Sequence, residues 1–391
     1  MASERVLQPL DFHVALASTL EQHEPGLWRW FAGDDYGKKY AENVKLELLR
    51  ATYRLPRESH EKLYAIAMEV AQVLGVTVPL TLYQSQGSGV LNAGLVFAAT
   101  EAHVVLQGPV MDTLNEAEVR ALFGHELAHH RLWTEQGGRF HTADVLIEHV
   151  VRQPGCAPSH MQSALRFRRW TELYADRGSL IASDDLDATL SLLVKMSTGL
   201  REVDPKAYLA QANEALQAKD TASRGLTHPE EFIRAWAIAH WHGGGEVSKL
   251  ATIVDGPVEL ETLDLVQQVS LTDATKRLIA AVLAPSFMRT EATLTHARRF
   301  FPEAVFDGPQ ASLEGLPRGG SSLDEYYSYL LLDLALADAD LEDRGLAHAA
   351  ELGRRIGLEE VLPKLARKEL RMSAASWAEL EKKGAEQEVA S

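Results

Sequence analysis

The chain has 391 residues, 46% hydrophobic and 24% charged, which is long enough for two packed domains and ordinary for a globular protein. A formal charge of -16 with a pI near 5.4 argues against nucleic acid or an anionic membrane as the main partner, because a phosphate footprint needs clustered Lys and Arg, and the short run Arg166, Arg168, Arg169 does not outweigh the balance. A single cysteine, Cys156, excludes an intrachain disulfide framework and a thiolate zinc cluster, and no window approaches the ~20 apolar residues of a membrane span, so a cytoplasmic protein is expected.

Residues 1–55 read as an N-terminal helical arm, docked by the aromatic run Leu27, Trp28, Trp30 and Phe31. Over residues 59–74, Leu63, Ile66, Ala67, Val70 and Val73 recur at helical spacing, and Gly75 ends that amphipathic helix. Residues 76–83 are β-rich, and 95–98 and 103–106 are short strands. The first of these two follows Asn92, Ala93 and Gly94. A strand edge beside a reactive centre can hold an extended peptide by backbone hydrogen bonds.

The next helix carries the chemistry. Asn115 with Glu118 three residues on forms a capping box, and Val119, Leu122, Phe123, Glu126 and His129 follow at three- and four-residue steps. His125 and His129 project from one face of this helix and can bind one zinc ion. Neutral imidazoles leave the metal its Lewis acidity, and Glu126 beside them can take a proton from water attacking a carbonyl. Glu126 falls in an otherwise apolar stripe, where an ionised carboxylate is costly unless a cation faces it.

A Pro/Gly loop at 153–158 leads to a second helix with Glu172 and Asp176 on one face, so that one carboxylate can bind zinc while the other accepts the free ring N–H of a ligating histidine. Further on, Thr227 is expected to cap a helix with Pro229 in its first turn, putting His228 and Arg234 near its start. A glycine run at 243–245 closes this part, and the boundary is placed between it and Pro257. From there the chain reads as all-helical, over 260–269, 273–283, 290–300, 323–336, 344–357, 362–371 and 375–383, with the charged end fraying before Gly384.

With these residues in view, the part from about 57 to 240 resembles the M48 zinc metallopeptidases, the family of the CAAX prenyl protease and of the membrane quality-control protease HtpX. Four stretches carry the resemblance in order: Asn92-Ala93; Leu114 to Glu118 leading into His125-Glu126-Leu127-Ala128-His129; Glu172 to Asp176; and Thr227-His228-Pro229 with Arg234. The resemblance implies His125, His129 and Glu172 as zinc ligands, Glu126 as general base, Asp176 as their outer support, and His228 with Arg234 near the oxyanion. Lacking membrane spans, the chain looks closer to the soluble minimal members. The stretch 329–338 with 346–357 is similar to TerB-type helical domains, although Ala339 stands where that family usually has glycine, which argues against a metal role there.

The expected architecture is α+β and mostly α. A 1–55 arm precedes a gluzincin-type peptidase domain over 56–249, with a small sheet beside the metal helix, and an all-α TerB-like domain follows over 257–391. The expected function is a zinc-dependent endopeptidase with one Zn2+ per chain, acting on protein or peptide substrates and regulated through residues 257–391, where a protein partner could bind. The rival from another class is a zinc-stabilised scaffold or sensor that acts through its helical domain without turnover.

Overall fold

The computed structural model describes residues 6–33, 44–86, 89–217, 228–306 and 312–389. They form two compact units, Met1–Gly256 and Pro257–Ser391, each with apolar clusters of its own.

In the first unit a four-stranded sheet is built from β1 (Thr52–Arg54), β2 (Leu80–Ser85), β3 (Asn92–Ala98) and β4 (Glu101–Gln107) in the order β1-β2-β4-β3. The strand expected over 76–83 starts later. Pro79 has no N–H for the ladder, and its carbonyl accepts from Ala102 at 2.9 Å just before pairing begins. β2 and β4 run parallel; β3 returns on β4 through the two-residue turn Ala99-Thr100, with Leu95 opposite Val104. This leaves β3 as an edge strand, with one ladder partner among the described strands.

The sheet packs on the helix over residues 116–134 through β3 and β4, and the other helices of the unit gather mostly around one another. α1 (Asp11–His23) and α2 (Pro25–Phe31) pack on α7 (Arg139–Val151); residues 44–51 are helical (α3), followed by α4 (Glu61–Leu74) and the single turn α5 (Val110–Thr113). Of the aromatic run, Trp28 and Phe31 are buried whereas Trp30 is 60% exposed, so only part of it anchors the arm. The site-bearing pair is α6 (Glu116–Thr134) and α8 (Pro158–Ser183), flanked by α9 (Leu186–Thr198), α10 (Pro205–Leu216), α11 (Glu231–His242) and α12 (Val247–Val254).

The α6 capping box forms as expected, with Asn115 Oδ1 accepting from Glu118 N–H and Glu118 Oε2 accepting from Asn115 N–H, both at 2.9 Å. Glu118 has a second task that its place in the sequence does not reveal. Buried, it accepts from Lys195 Nζ at 2.8 Å and from Ser191 Oγ at 2.6 Å, which fastens α9 to the start of α6. The arginine run is likewise spent internally: Arg166 Nε (2.8 Å), Arg169 Nη2 (3.2 Å) and Trp170 Nε1 (3.1 Å) all donate to Asp255, and Arg168 pairs with Glu148.

The Asp255 clamp decides where the first unit ends. A chain cut after Gly256 should fold with a melting temperature close to that of the same unit in the full protein. A cut after Val254 removes a carboxylate that is 9% exposed in its side chain and serves three donors on α8. Removing one partner of such a buried pair costs about 3 kcal/mol, so parallel thermal melts should separate the two fragments clearly.

The second unit is helical throughout its main elements: α13 (Leu265–Val282), α14 (Glu291–Phe300), α15 (Ser321–Ala335), α16 (Glu342–Arg355), α17 (Val361–Leu370) and α18 (Ala374–Val389). Two expectations are corrected here. The helices expected over 260–269 and 273–283 are one helix, because a capping box between Asp264 and Gln267 starts it and no Gly or Pro interrupts the run to Val282. The last helix, α18, expected to end before Gly384, extends beyond it, because Gly384 lies against the Ala347 carbonyl and its missing side chain lets α18 and α16 meet.

Candidate metal centre

α6 and α8 cross closely because both present glycine at the contact. A Cβ on Gly124 would lie 2.8 Å from the Gly178 carbonyl and 2.6 Å from Ala182 Cβ, while one on Gly178 would lie 3.0 Å from the Gly124 carbonyl and collide with Ala128. The helices run antiparallel. Ala121 meets Ser179, whose Oγ donates to its carbonyl at 2.8 Å; His125 then meets Asp176, and His129 meets Glu172. This crossing brings the two histidines of one helix to the carboxylates of the other.

One donor atom each from His125, His129 and Glu172 lies within 4.8 Å of the others. His125 Nε2 is 3.3 Å from His129 Nε2 and 3.5 Å from Glu172 Oε2, and His129 Nε2 is 3.8 Å from Glu172 Oε1. A tetrahedral zinc with ~2.0–2.2 Å bonds sets its ligand atoms about 3.4 Å apart, so the spacing and the chemistry of this N, N, O set fit that ion. Glu126, buried beside them, accepts from the backbone N–H of Leu95 on β3, which fastens the carboxylate to the edge strand.

Behind the donors lies a chain of charged contacts. Asp176 Oδ1 stands 3.1 Å from His125 Nδ1, which places the Nδ1 proton on the Asp176 side and turns Nε2 toward the other donors. Arg234, from α11, grips Asp176 with two hydrogen bonds, Nε to Oδ2 at 2.8 Å and Nη2 to Oδ1 at 2.6 Å, and lies 3.6 Å from Glu172. His228 is 63% exposed in its side chain, with Nδ1 3.6 Å from Glu172 Oε1. The expected cap Thr227 lies outside the described residues. α11 starts at Glu231, after an extended Glu230, so Pro229 precedes the helix rather than opening it and His228 stands outside its first turn. Proline pushes the residue before it out of helical geometry.

The field of the site is negative where a cation would sit. Burial pulls the His125 imidazole down, but hydrogen bonds to Asp176 and Glu172 and their charges overcome this and push it up to about 10. His129, farther from Asp176, is held down at about 4 by burial and stays neutral. Burial works against ionised Glu172 and Asp176 as well. Hydrogen bonds from His125 and His228 hold Glu172 well below the usual carboxylate range, and Arg234 lowers Asp176. For Glu126 the burial effect prevails and raises it.

Two supports escaped the sequence. Trp133, one turn after His129, stacks on its ring at 5.5 Å. His13 of α1 is fully buried; its Nδ1 accepts from Leu10 N–H at 3.2 Å, so its Nε2 donates to Thr171 Oγ1 at 3.3 Å, next to Glu172. The i, i+4 spacing of His129 and Trp133 was a readable signal. His13, 158 positions from its partner, offered none.

Apart from the buried His13, these groups line one cleft of about 690 Å³, which also borders Asn92, Ala93 and Gly94 on β3. A Cβ on Gly94 would meet nothing within 4 Å, so the strand is open there.

Residues 57–135 match the family model described as peptidase family M48, a span that includes α6 and stops short of α8. Among curated proteins, the chain is 26% identical over 232 residues to an Arabidopsis thaliana protein named plastoglobule-localized metallopeptidase 48, chloroplastic; the match covers 55% of this chain and 66%, just under two thirds, of that relative. No solved structure matches the chain. Among the described residues, no helix is long and apolar enough to cross a membrane.

Proposed function

We propose that the first unit is a zinc-dependent endopeptidase that holds one zinc ion per chain through His125, His129 and Glu172 and uses Glu126 as general base. The observation that carries this reading is the convergence of those three donors beside Glu126 in an open cleft; the match to peptidase family M48 supports it. A zinc ion bound there supplies Lewis acidity that polarises the scissile carbonyl and acidifies water.

Glu126 takes a proton from the attacking water on its carboxylate and passes it to the leaving amine. Asp176 holds the His125 Nδ1 proton and with it the ring's orientation. Arg234 keeps Asp176 ionised and in place, which makes it a positioning residue rather than the oxyanion contact that the family resemblance implies. His228, exposed at the cleft and engaged by Glu172 through Nδ1, turns its other ring nitrogen to the developing oxyanion. Asn92, Ala93 and Gly94 pair with the substrate backbone along the β3 edge. The second unit, TerB-like in sequence, regulates access or recruits a protein partner, and the protein works in the cytoplasm.

The test is digestion of a denatured protein such as casein by the zinc-loaded chain, with and without a chelator. New peptides that disappear on chelation support the reading. Zinc binding without turnover supports the scaffold instead.

A further inference from the structure

The cleft changes chemistry along its length. On α8 its lining residues are Arg168, Thr171, Glu172, Asp176 and Ser179, which share one helix face; at 1.5 Å per residue they span about 16 Å, enough for roughly five residues of extended peptide. The donors sit near the middle. Because α6 runs antiparallel to α8, Trp133 shares the end near Arg168, and Leu122 shares the end near Ser179.

The Leu122 end is walled by Leu192, Leu193 and Met196 of α9 and by Ile238 of α11. The Trp133 end carries Asp144 and Glu148, one turn apart on α7, facing Arg168. These carboxylates are not equivalent. Glu148 is engaged by Arg168 and lies 3.8 Å from the exposed Arg152, whereas Asp144 makes no hydrogen bond or ion pair among the described residues. His141 offers it no charge, since burial holds that imidazole down at about 4. Burial and the neighbouring Glu148 push the Asp144 carboxyl up to about 7, against the opposing charge of Arg168, which Glu148 engages directly. Beside it the buried Trp133 Nε1 also has no hydrogen-bond partner.

We infer that this end of the cleft is a subsite for a basic side chain of the substrate, with Asp144 as its counter-charge and Trp133 as its aromatic wall, and that the opposite end takes an apolar side chain. The inference rests on the peptidase reading and deepens it. An ammonium or guanidinium group there gives Asp144 the direct ion pair that Arg168, spent on Glu148, does not make with it, and can lie against the indole. The preferred chain therefore carries Lys or Arg on one side of the scissile bond and an aliphatic or Met residue on the other.

Two measurements test this separately from catalysis. In the first, zinc-loaded protein digests a mixture of denatured proteins, and the new termini are identified by mass spectrometry. Lys and Arg should be enriched at one fixed position near the cut with aliphatic residues across from it, and Asp144→Asn should lose the basic preference while still cutting. In the second, fluorescent peptides that differ only in Lys or Glu at that position, or across a scanned series if no cut is seen, are bound to Glu126→Gln protein. The Lys peptide should bind about tenfold tighter, with the difference gone in the Glu126→Gln/Asp144→Asn double variant. A cutting profile without charge preference, a preference that survives Asp144→Asn, or equal binding of the two peptides overturns the subsite. Absence of any digestion by the parent refutes the peptidase reading instead, and the binding experiment still decides the subsite.

Discussion

Glu126→Gln should lower peptide hydrolysis by about 100- to 10,000-fold and leave zinc content and melting temperature near those of the parent. The amide keeps the shape of the carboxylate and can still accept from the Leu95 N–H through its oxygen. What it loses is the capacity to take a proton from water. Because Glu126 is not among the three clustered donors, metal retention separates this outcome from a general collapse of the site. Turnover on a denatured protein, measured with zinc content on the same sample, checks it. A variant that still cuts at a tenth of the parent rate or faster would remove Glu126 from the chemistry.

Gly178→Val should act in the opposite manner, through structure. Any side chain at 178 meets Ala128 and the Gly124 carbonyl, which are the contact that sets the distance between α6 and α8. Overpacking of this kind costs about 3 kcal/mol, or about 6–12 °C in the melting temperature of a unit this size. The metal donors come from both helices, so their separation grows with the same displacement and zinc affinity should fall together with stability. Thermal unfolding with and without added zinc measures both. A Gly178→Val protein with parental melting and zinc affinity would mean that the crossing is not held where the glycines put it.

The fold and the centre were legible in the sequence to different depths. The α6 helix, its cap and the spacing of His125 and His129 are local facts, written within about one turn of helix, and the structure keeps them. The sheet was legible in three of its strands, β2 with too early a start, but β1 was not foreseen; three residues with a polar face carry little periodicity. Long-range pairings were harder. Arg234 as a two-bond clamp on Asp176 could not be read from a position 58 residues away, and the sequence suggested a charge near the reaction instead. Gly178 and Gly384 look like weak points of a helix until the partner helix is seen against them. The arginine run at 166–169 resembled a basic surface because its acceptors, Asp255 and Glu148, lie elsewhere in the chain.

The most direct measurement on the central claim is the zinc content of the purified parent and of Glu172→Ala, determined by elemental analysis after dialysis against metal-free buffer. A catalytic zinc site has three protein ligands and none to spare, and Glu172 is the one contributed by α8. The parent should retain one zinc per chain and the variant almost none, with both chains folded by circular dichroism. Full zinc in Glu172→Ala would contradict the assignment of the centre to His125, His129 and Glu172.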